Sequence, residues 1–321
     1  MRFMSFQDPE GEPRLGVALD GVMHDITHAV LAGRTTELSP MRHVLARGTD
    51  LRELAAAAAS SPVARIAHAL PVVPDPTKIV AAPVNYRDHQ QEMTTDAAVD
   101  GLGVFLKAPS SVIGDGGTVR LPYTDRRFDQ EGELAVIIGR TASHVAADAA
   151  LDYVAGYTCL LDMTMRGGED RSIRKSFDTF TPTGPSLVTP DEAGPVEEME
   201  LHTWVGGELR QRADLRDLIW NVPRLIEYVS SAMVLYPGDV IATGTPAGVG
   251  QVLDGQEVAV EITNLGRLTV SVSKVGAVAC PTLGRDRGPK PPAAVTAPLE
   301  RVPRPDAFGS RGRRPAAEEV S

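Results

Sequence analysis

The sequence has few cysteines and no cysteine–histidine spacing that is typical of a zinc site. Only Cys159 and Cys280 occur among its 321 residues, which excludes the disulfide framework of a small secreted domain. No apolar stretch reaches the length of a membrane-spanning helix, and the N-terminus lacks the charged segment and apolar core of a signal peptide. We therefore expect a cytoplasmic protein that has no membrane partner.

Positive charge is also in short supply. The chain carries 32 lysines and arginines against 42 aspartates and glutamates, which gives a formal net charge of −10. Nucleic acids and anionic membrane surfaces attract basic proteins, so neither is expected to be the main partner. The hydrophobic fraction of 42% is ordinary for a globular protein, and the length suffices for one large domain or two unequal ones.

Composition divides the chain into three regions. Residues 1–70 predict a small N-terminal region, with two short strands around an Asp-Gly turn and an alanine-rich helix capped by Asp50. A proline-rich stretch then opens residues 71–283, the predicted catalytic domain. Residues 284–321 are rich in proline, arginine, alanine and glycine. We predict that this tail is disordered, because it has too few large apolar side chains to offset the entropy of ordering.

The central region predicts a fold that is mainly β, with α+β features. Short Val/Ile-rich runs are separated by glycine and proline turns, and the only convincing helical stretches are Tyr86–Met93 and Val222–Met233. Regular alternation of strands and helices is missing, which disfavours a doubly wound nucleotide-binding fold. We expect antiparallel and mixed sheets that roll around a site. The predicted strands are 78–82, 104–107, 133–138, 153–161, 200–205, 239–243, 257–263 and 267–275.

Three carboxylates stand at the ends of two apolar runs. Glu131 and Glu133 open one run and, two apart on a strand, share a face. Asp162 ends the next. Carboxylates that are held together beside a hydrophobic core repel each other, so we expect a cation between them. A site made only of oxygen ligands favours Mg²⁺, Mn²⁺ or Ca²⁺ over Zn²⁺. A lone Glu-x-Glu is more often a solvated strand edge, so the metal prediction depends on the other motifs.

A predicted short helix carries His89 and Glu92. These residues are three apart and therefore lie on one face of that helix. A carboxylate that binds an imidazole fixes its tautomer and raises its basicity, so the pair is a candidate for taking a proton from water. The alternative is an incidental polar pair on a surface helix.

Several cations lie close to these acids in the sequence. Lys107 ends an apolar strand, Arg166 lies just beyond Asp162, and Lys175 follows a polar stretch. Such cations either balance the negative charge of the acids or bind a substrate carboxylate. For the neighbouring Arg171 and Arg174 we predict surface side chains instead.

A glycine-rich loop follows the predicted strand at 239–243. No Lys-Ser/Thr ends this loop, so it is not a nucleotide P-loop. It offers backbone N–H groups and the hydroxyls of Thr243 and Thr245 to a carboxylate. A purely structural turn is the alternative.

Taken together, these segments resemble the fumarylacetoacetate hydrolase superfamily, and they do so in the family's order across residues 78–275. A single such match would be weak, but six in order are specific. The matching motifs are Asn-Tyr-Arg-Asp-His with a following Glu (85–92), Phe-Leu-Lys (105–107), Glu-x-Glu-Leu-Ala-Val-x-Ile-Gly (131–139), Gly-Tyr…Asp (156–162), Lys-Ser-Phe-Asp-Thr-Phe…Gly-Pro (175–185) and Pro-Gly-Asp-Val-Ile-x-Thr-Gly-Thr-Pro-x-Gly-Val-Gly (237–250).

The resemblance implies a rolled mixed β-sheet, a homodimer, and bound Mg²⁺ or Mn²⁺, with Ca²⁺ as a substitute in crystals. The implied activity is hydrolysis of a C–C bond in a 2,4-dioxo acid, of acylpyruvate or fumarylpyruvate type, through a metal-stabilised enolate. The implied metal ligands are Glu131, Glu133 and Asp162; the implied catalytic residues are His89 and Glu92, on a lid, and Lys175; the implied substrate contacts are Tyr86, Lys107, Arg166 and Thr245.

Two departures from the family pattern keep other activities open. Gly167 stands where many hydrolase-like members carry Asp, and the connection from Arg166 to Lys175 is short. These features resemble members described as 2-hydroxyhepta-2,4-diene-1,7-dioate isomerase/decarboxylases. An isomerase, a decarboxylase or a keto–enol tautomerase would use the same metal and the same enolate. Val84 also replaces a glycine that often precedes Asn-Tyr, which would alter the lid hinge. A third hypothesis is a non-catalytic member that binds a small oxo acid.

Overall fold

Strands dominate the fold. The computed structural model describes residues 1–32, 37–293 and 296–297. In chain order the strands are β1 (Arg2–Gln7), β2 (Pro13–Leu19), β3 (Val22–Asp25), β4 (His68–Ala69), β5 (Ile79–Ala81), β6 (Phe105–Lys107), β7 (Val112–Ile113), β8 (Thr118–Arg120), β9 (Phe128–Gln130), β10 (Gly132–Ile138), β11 (Val154–Leu161), β12 (Thr164–Met165), β13 (Thr181–Val188), β14 (Glu200–Val205), β15 (Glu208–Asp214), β16 (Val240–Ala242), β17 (Gly250–Gln251), β18 (Glu257–Ile262) and β19 (Gly266–Ser273).

The helices are short, apart from α8. They are α1 (Thr27–Leu31), α2 (Pro40–Ala46), α3 (Leu54–Ala58), α4 (Arg87–Glu92), α5 (Val99–Leu102), α6 (Arg171–Arg174), α7 (Pro190–Ala193) and α8 (Val222–Ala232). In α8 the Asn221 side chain accepts a hydrogen bond from the backbone N–H of Arg224, and apolar residues at helical spacing face the core. Among the described residues, no helix combines the length and the apolarity that crossing a membrane would require.

The largest sheet has the strand order β3-β2-β1-β13-β11-β10-β16-β5-β6. Most neighbours are antiparallel, but β16 and β5 run parallel, as do β13 and the short β7. Because β7 follows the edge strand β6 in sequence and yet pairs with β13, the chain curls back toward the middle of this sheet. The mainly β architecture with antiparallel and mixed pairing is therefore as predicted.

Both faces of the central strand β10 are buried, which explains its unbroken apolar sequence. Leu134, Val136 and Ile138 face a large core shared with the five-stranded sheet, whose order is β15-β14-β18-β19-β8. Ala135 and Ile137 face the opposite way, into a second core that is closed by helix α2 and the N-terminal strands. Strand β10 is thus fixed on both sides, and the residues at its start are held rigidly.

The N-terminal residues are part of the main sheet rather than a separate layer. Strand β1 pairs with β13 through Arg2–Val188 and Phe3–Leu187, a pairing that the sequence pattern did not predict. The predicted hairpin around the Asp-Gly turn is present as β2 and β3.

The predicted disordered tail falls mostly on residues 294–295 and 298–321, which lie outside the described residues. Its first part is described. The Gly284 carbonyl accepts a hydrogen bond from the Gly168 N–H (2.9 Å), and Pro291 is buried.

Candidate active site

The three predicted metal ligands meet where β10 begins and β11 ends. These strands are antiparallel neighbours, with Gly132 opposite Leu161, so the start of one lies against the end of the other. The Asp162 N–H donates to the Glu131 carbonyl over 2.8 Å. One carboxylate oxygen from each of Glu131, Glu133 and Asp162 lies within 4.8 Å of the others, and all three residues are buried.

The carboxyls of this cluster differ in their electrostatics. Burial raises the pKa of Glu133 well above its usual value, and the Asp162 charge raises it further. Burial also acts to raise the pKa of Glu131, but Lys175 and Arg166 outweigh it and hold that pKa below its usual value. The three buried carboxyls offer oxygen ligands, and the surroundings of Glu133 hinder its ionisation. Such a site suits a hard divalent cation. Glu131, Glu133 and Asp162 would hold that ion.

Two lysines hold the acidic cluster together. The Lys175 ammonium donates to Glu131 Oε2 (2.6 Å) and to Asp162 Oδ2 (2.5 Å). Lys107 donates to Asp162 Oδ1 (2.5 Å) and to the carbonyls of Lys175 and Phe180. Burial lowers the pKa of Lys107, against the raising effect of Asp162. Lys107 therefore stands behind the cluster and fixes the orientation of Asp162.

Arg166 connects the cluster to an acid that the sequence analysis did not assign. Its Nε donates to Asp129 Oδ2 (2.7 Å) and its Nη2 donates to Glu131 Oε1 (2.9 Å). Asp129 also accepts from Arg127 (2.7 Å) and is fully buried. Asp129 lies two residues before Glu131, just as Glu131 lies two residues before Glu133. This regular spacing is the sequence signal that could have identified Asp129.

His89 and Glu92 form a buried pair on α4. His89 Nδ1 lies 2.9 Å from Glu92 Oε2, and Glu92 Oε1 accepts from the Gly248 N–H over 2.9 Å. The His89 ring lines the same cavity as Glu131. The i, i+3 prediction therefore places these side chains correctly, although their catalytic role stays a prediction.

The glycine-rich loop binds carboxylates of the protein itself. The Gly244 N–H donates to Glu133 Oε2 (2.7 Å), in addition to the contact between Gly248 and Glu92. A Cβ at Gly248 would lie 1.8 Å from the Arg210 carbonyl oxygen, and φ is +99° there, so this position requires glycine. The Thr245 hydroxyl donates to the Gly132 carbonyl (3.0 Å) and accepts from Gln211 (2.7 Å).

A cavity of about 250 Å³ opens onto the carboxylates. Of the predicted site residues, seven line it: His89, Glu131, Glu133, Asp162, Arg166, Lys175 and Thr245. Three are not among the described lining residues. Glu92 lies behind His89 and Lys107 behind Asp162, whereas Tyr86 is buried in the larger hydrophobic core.

The prediction of surface positions is wrong for Arg174. Its side chain is buried and lines the cavity. Arg171 lines it as well, with its guanidinium carbon 5.5 Å from the centre of the Phe105 ring. This burial could not be predicted from the local sequence, because helix α6 is only four residues long and it packs against strand β6, which is distant in sequence.

Residues 78–273, more than half of the chain, match the model of the fumarylacetoacetate (FAA) hydrolase C-terminal family. The chain belongs to the fumarylacetoacetate hydrolase family. This membership confirms the resemblance, and with it the predicted metal-dependent hydrolase class.

Relatives within the fumarylacetoacetate hydrolase family agree in sequence and in fold. A maleylpyruvate hydrolase from Aquipseudomonas alcaligenes is 46% identical over 214 residues, which cover 63% of this chain and 75% of that protein. The solved structure of maleylpyruvate hydrolase from Sphingobium sp. SYK-6, with manganese(II) and pyruvate, superposes with a TM-score of 0.74 at 37% identity, covering 85% of this chain and 99% of that one. The solved structure of 2-hydroxyhepta-2,4-diene-1,7-dioate isomerase from Mycobacterium marinum superposes with a TM-score of 0.65 at 29% identity, covering 86% of this chain and 99% of that one.

Proposed function

We propose that this protein is a divalent-metal-dependent hydrolase that cleaves the C–C bond between C3 and C4 of an acylpyruvate. One observation carries the proposal: a buried His89–Glu92 pair faces the Glu131–Glu133–Asp162 cluster across a single cavity. Isomerisation or decarboxylation needs a cation beside an enolate, but only hydrolysis also needs a base for water. The likeness to two maleylpyruvate hydrolases supports the same choice.

The His89–Glu92 pair takes a proton from the attacking water. Because Glu92 occupies Nδ1, the other ring nitrogen is the one left to accept that proton. The Gly248 N–H holds Glu92 and so keeps the imidazole in position. The resulting hydroxide adds to the C4 carbonyl, and cleavage then releases a carboxylic acid and, after protonation at C3, pyruvate.

The acidic cluster acts at the pyruvate end of the substrate. Glu131, Glu133 and Asp162 would hold a divalent cation, which we propose to be Mg²⁺ or Mn²⁺, and that ion would supply positive charge to balance the negative charge of the enolate. The Lys175 ammonium at the cavity wall steadies the oxyanion formed at C4, and Lys107 and Arg166 keep the acids in place. On the family resemblance we also propose a homodimer, which analytical ultracentrifugation tests.

Product analysis tests the proposal. The protein is incubated with acetylpyruvate or fumarylpyruvate, with added Mg²⁺ or Mn²⁺ and in parallel with EDTA. We expect pyruvate and the matching carboxylic acid to appear in equal amounts, only when metal is present. His89→Ala should lower the rate about 10²- to 10⁴-fold, and undiminished hydrolysis by this variant would refute the role of His89.

The runner-up is an isomerase or decarboxylase. Gly167 and the short connection to Lys175 favour it, as does the likeness to the Mycobacterium marinum isomerase. Release of CO₂ from oxaloacetate, or enol–keto conversion, without any acylpyruvate cleavage would select this activity. In that case His89→Ala should retain most of the turnover, because no water attacks.

A further inference from the structure

Five cationic side chains lie at or beside the cavity, and the protein neutralises only some of them. Lys107, Arg166 and Lys175 form ion pairs with buried carboxylates at 2.5 to 2.9 Å. Arg171 and Arg174 also line the cavity, but among the described residues neither has a carboxylate within ion-pair distance. These two arginines are therefore the positive charges left for a ligand.

Arg174 is buried without the partner that such burial normally requires. The residue keeps only 6% of its surface exposed, and Nη1 has no hydrogen-bond partner among the described residues. Burial, with the positive charge of Arg166 nearby, lowers the pKa of Arg174 to about 10. Withdrawing a guanidinium from water without a counter-charge destabilises a fold. An anion in the cavity would remove that cost.

Helix α6 brings a second arginine to the same wall. Asp170 caps this helix by accepting from the Ser172 N–H (2.8 Å). Arg171 and Arg174 are three residues apart, so they share a face of the helix. Two guanidinium groups on one wall offer several N–H donors in the planar arrangement that matches a carboxylate.

We propose that Arg174, with Arg171 beside it, binds the second carboxylate of a dianionic acylpyruvate, at the end of the substrate away from the 2-oxo acid group. This inference rests on the proposed function and narrows its substrate class. It makes acylpyruvates with a dicarboxylic acyl group, such as fumarylpyruvate, better substrates than acetylpyruvate.

Steady-state kinetics on two substrates test the inference. For Arg174→Gln we expect kcat/KM on fumarylpyruvate to fall about 100-fold, whereas kcat/KM on acetylpyruvate changes less than about threefold. The kcat/KM of Arg174→Lys on fumarylpyruvate should lie between the values of wild type and Arg174→Gln, because lysine keeps the positive charge but lacks the planar guanidinium group. The matched control is Arg47→Gln at an exposed arginine outside the cavity, which should leave both substrates unaffected. Equal losses on both substrates, or none, would overturn the inference.

A binding measurement separates this inference from the proposed function. Calorimetry on the Mg²⁺-loaded protein compares fumarate with crotonate, which has the same four carbons and the same trans double bond but one carboxylate fewer. We expect wild type to bind fumarate about tenfold more tightly than crotonate, and we expect Arg174→Gln, shown to be folded by circular dichroism, to lose that preference. If wild type hydrolyses no acylpyruvate, the proposed function fails, and this comparison still decides the role of Arg174. An unchanged preference in Arg174→Gln would refute it.

Discussion

Glu133 is a member of the acidic cluster whose ionisation is hindered by burial. Burial and the Asp162 charge raise its pKa in the folded protein. The folded protein therefore holds a proton there at pH values where the unfolded chain has lost it. Without metal, the folded state is consequently penalised as pH rises through that raised pKa, and the penalty disappears below the usual carboxyl pKa.

This linkage predicts that metal binding releases a proton. Binding requires an ionised carboxylate, so Mn²⁺ must displace the Glu133 proton wherever it is present. Calorimetric titration in two buffers with different ionisation enthalpies should show proton release that grows as the pH is lowered, while the affinity for Mn²⁺ falls. Glu92→Gln, outside the cluster, should behave like wild type. Heats that do not depend on the buffer would contradict the raised pKa.

Val84 holds a backbone conformation that costs a β-branched residue free energy. Its φ is +44°, three residues before α4 begins, in the left-handed region that favours glycine. Val84→Gly relieves that strain but adds freedom to the unfolded chain. We expect the unfolding free energy, measured in urea, to change by less than about 1 kcal/mol.

Val154 provides the matched control for this substitution. It is also half-buried, but its φ is −90°, so replacement by glycine relieves no strain. Val154→Gly should lower the unfolding free energy by about 2 kcal/mol. Equal losses in the two variants would mean that Val84 is not strained.

At the scale of elements, the glycine-rich loop after β16 controls the His89–Glu92 pair through one backbone N–H. A Cβ at Gly248 would collide with the Arg210 carbonyl and displace the group that holds Glu92. Gly248→Ala should therefore lower kcat about 100-fold, while calorimetry shows metal binding retained. Gly255 also has a positive φ but has open space around it, so Gly255→Ala should keep its activity. Similar kinetics in both variants would exclude this role of the loop.

Strands β10 and β11 were predictable because burial on both faces gives each of them an apolar run. The predicted strand 133–138 is Gly132–Ile138 in the structure, and the predicted helix at 222–233 is Val222–Ala232. Strand β1 was missed because its sequence mixes polar and apolar residues and its partner β13 is far away in the chain. Local patterns carry no information about such a pairing.

The parts of the site that could be predicted are those whose residues belong to short sequence motifs. The three carboxylates and the His89–Glu92 pair come together as expected. The burial of Arg174 was not predictable, because it depends on where helix α6 packs in three dimensions. The glycine loop was expected to offer N–H groups to a carboxylate, but the sequence did not reveal that Glu92 and Glu133 are the acceptors.

The segment after β19 returns to the cavity. Arg126 ties this segment to the body, since its Nη2 donates to the Thr282 carbonyl (2.7 Å) and to Glu169 (2.7 Å). The chain then crosses Gly167 and Gly168 so closely that a Cβ on Gly168 would lie 2.7 Å from the Cβ of Arg287. Gly167, where many hydrolase-like members of the family carry Asp, therefore lies where two segments of the chain pack tightly against each other.

Two residues further along this segment, Pro289 lines the cavity, so this part of the chain contributes to the cavity wall. Gly288 makes the approach possible: its φ is +80°, and a Cβ there would lie 2.4 Å from the Gly167 carbonyl oxygen. Gly288→Ala should therefore detach the segment from Gly167, withdraw Pro289 from the wall, and raise KM several-fold while kcat changes little.

Gly276 supplies the control for this prediction, because it has nearly the same φ, +83°, with open space around it. Limited trypsin digestion should cut Gly288→Ala faster than wild type after Arg285 and Arg287, whereas Gly276→Ala should be cut at the wild-type rate. Both variants lose similar backbone freedom in the unfolded chain, so a difference between them reports the contact with Gly167 alone. Unchanged digestion and KM in Gly288→Ala would show that the segment does not shape the cavity, and the wall would then end at α5 and α6.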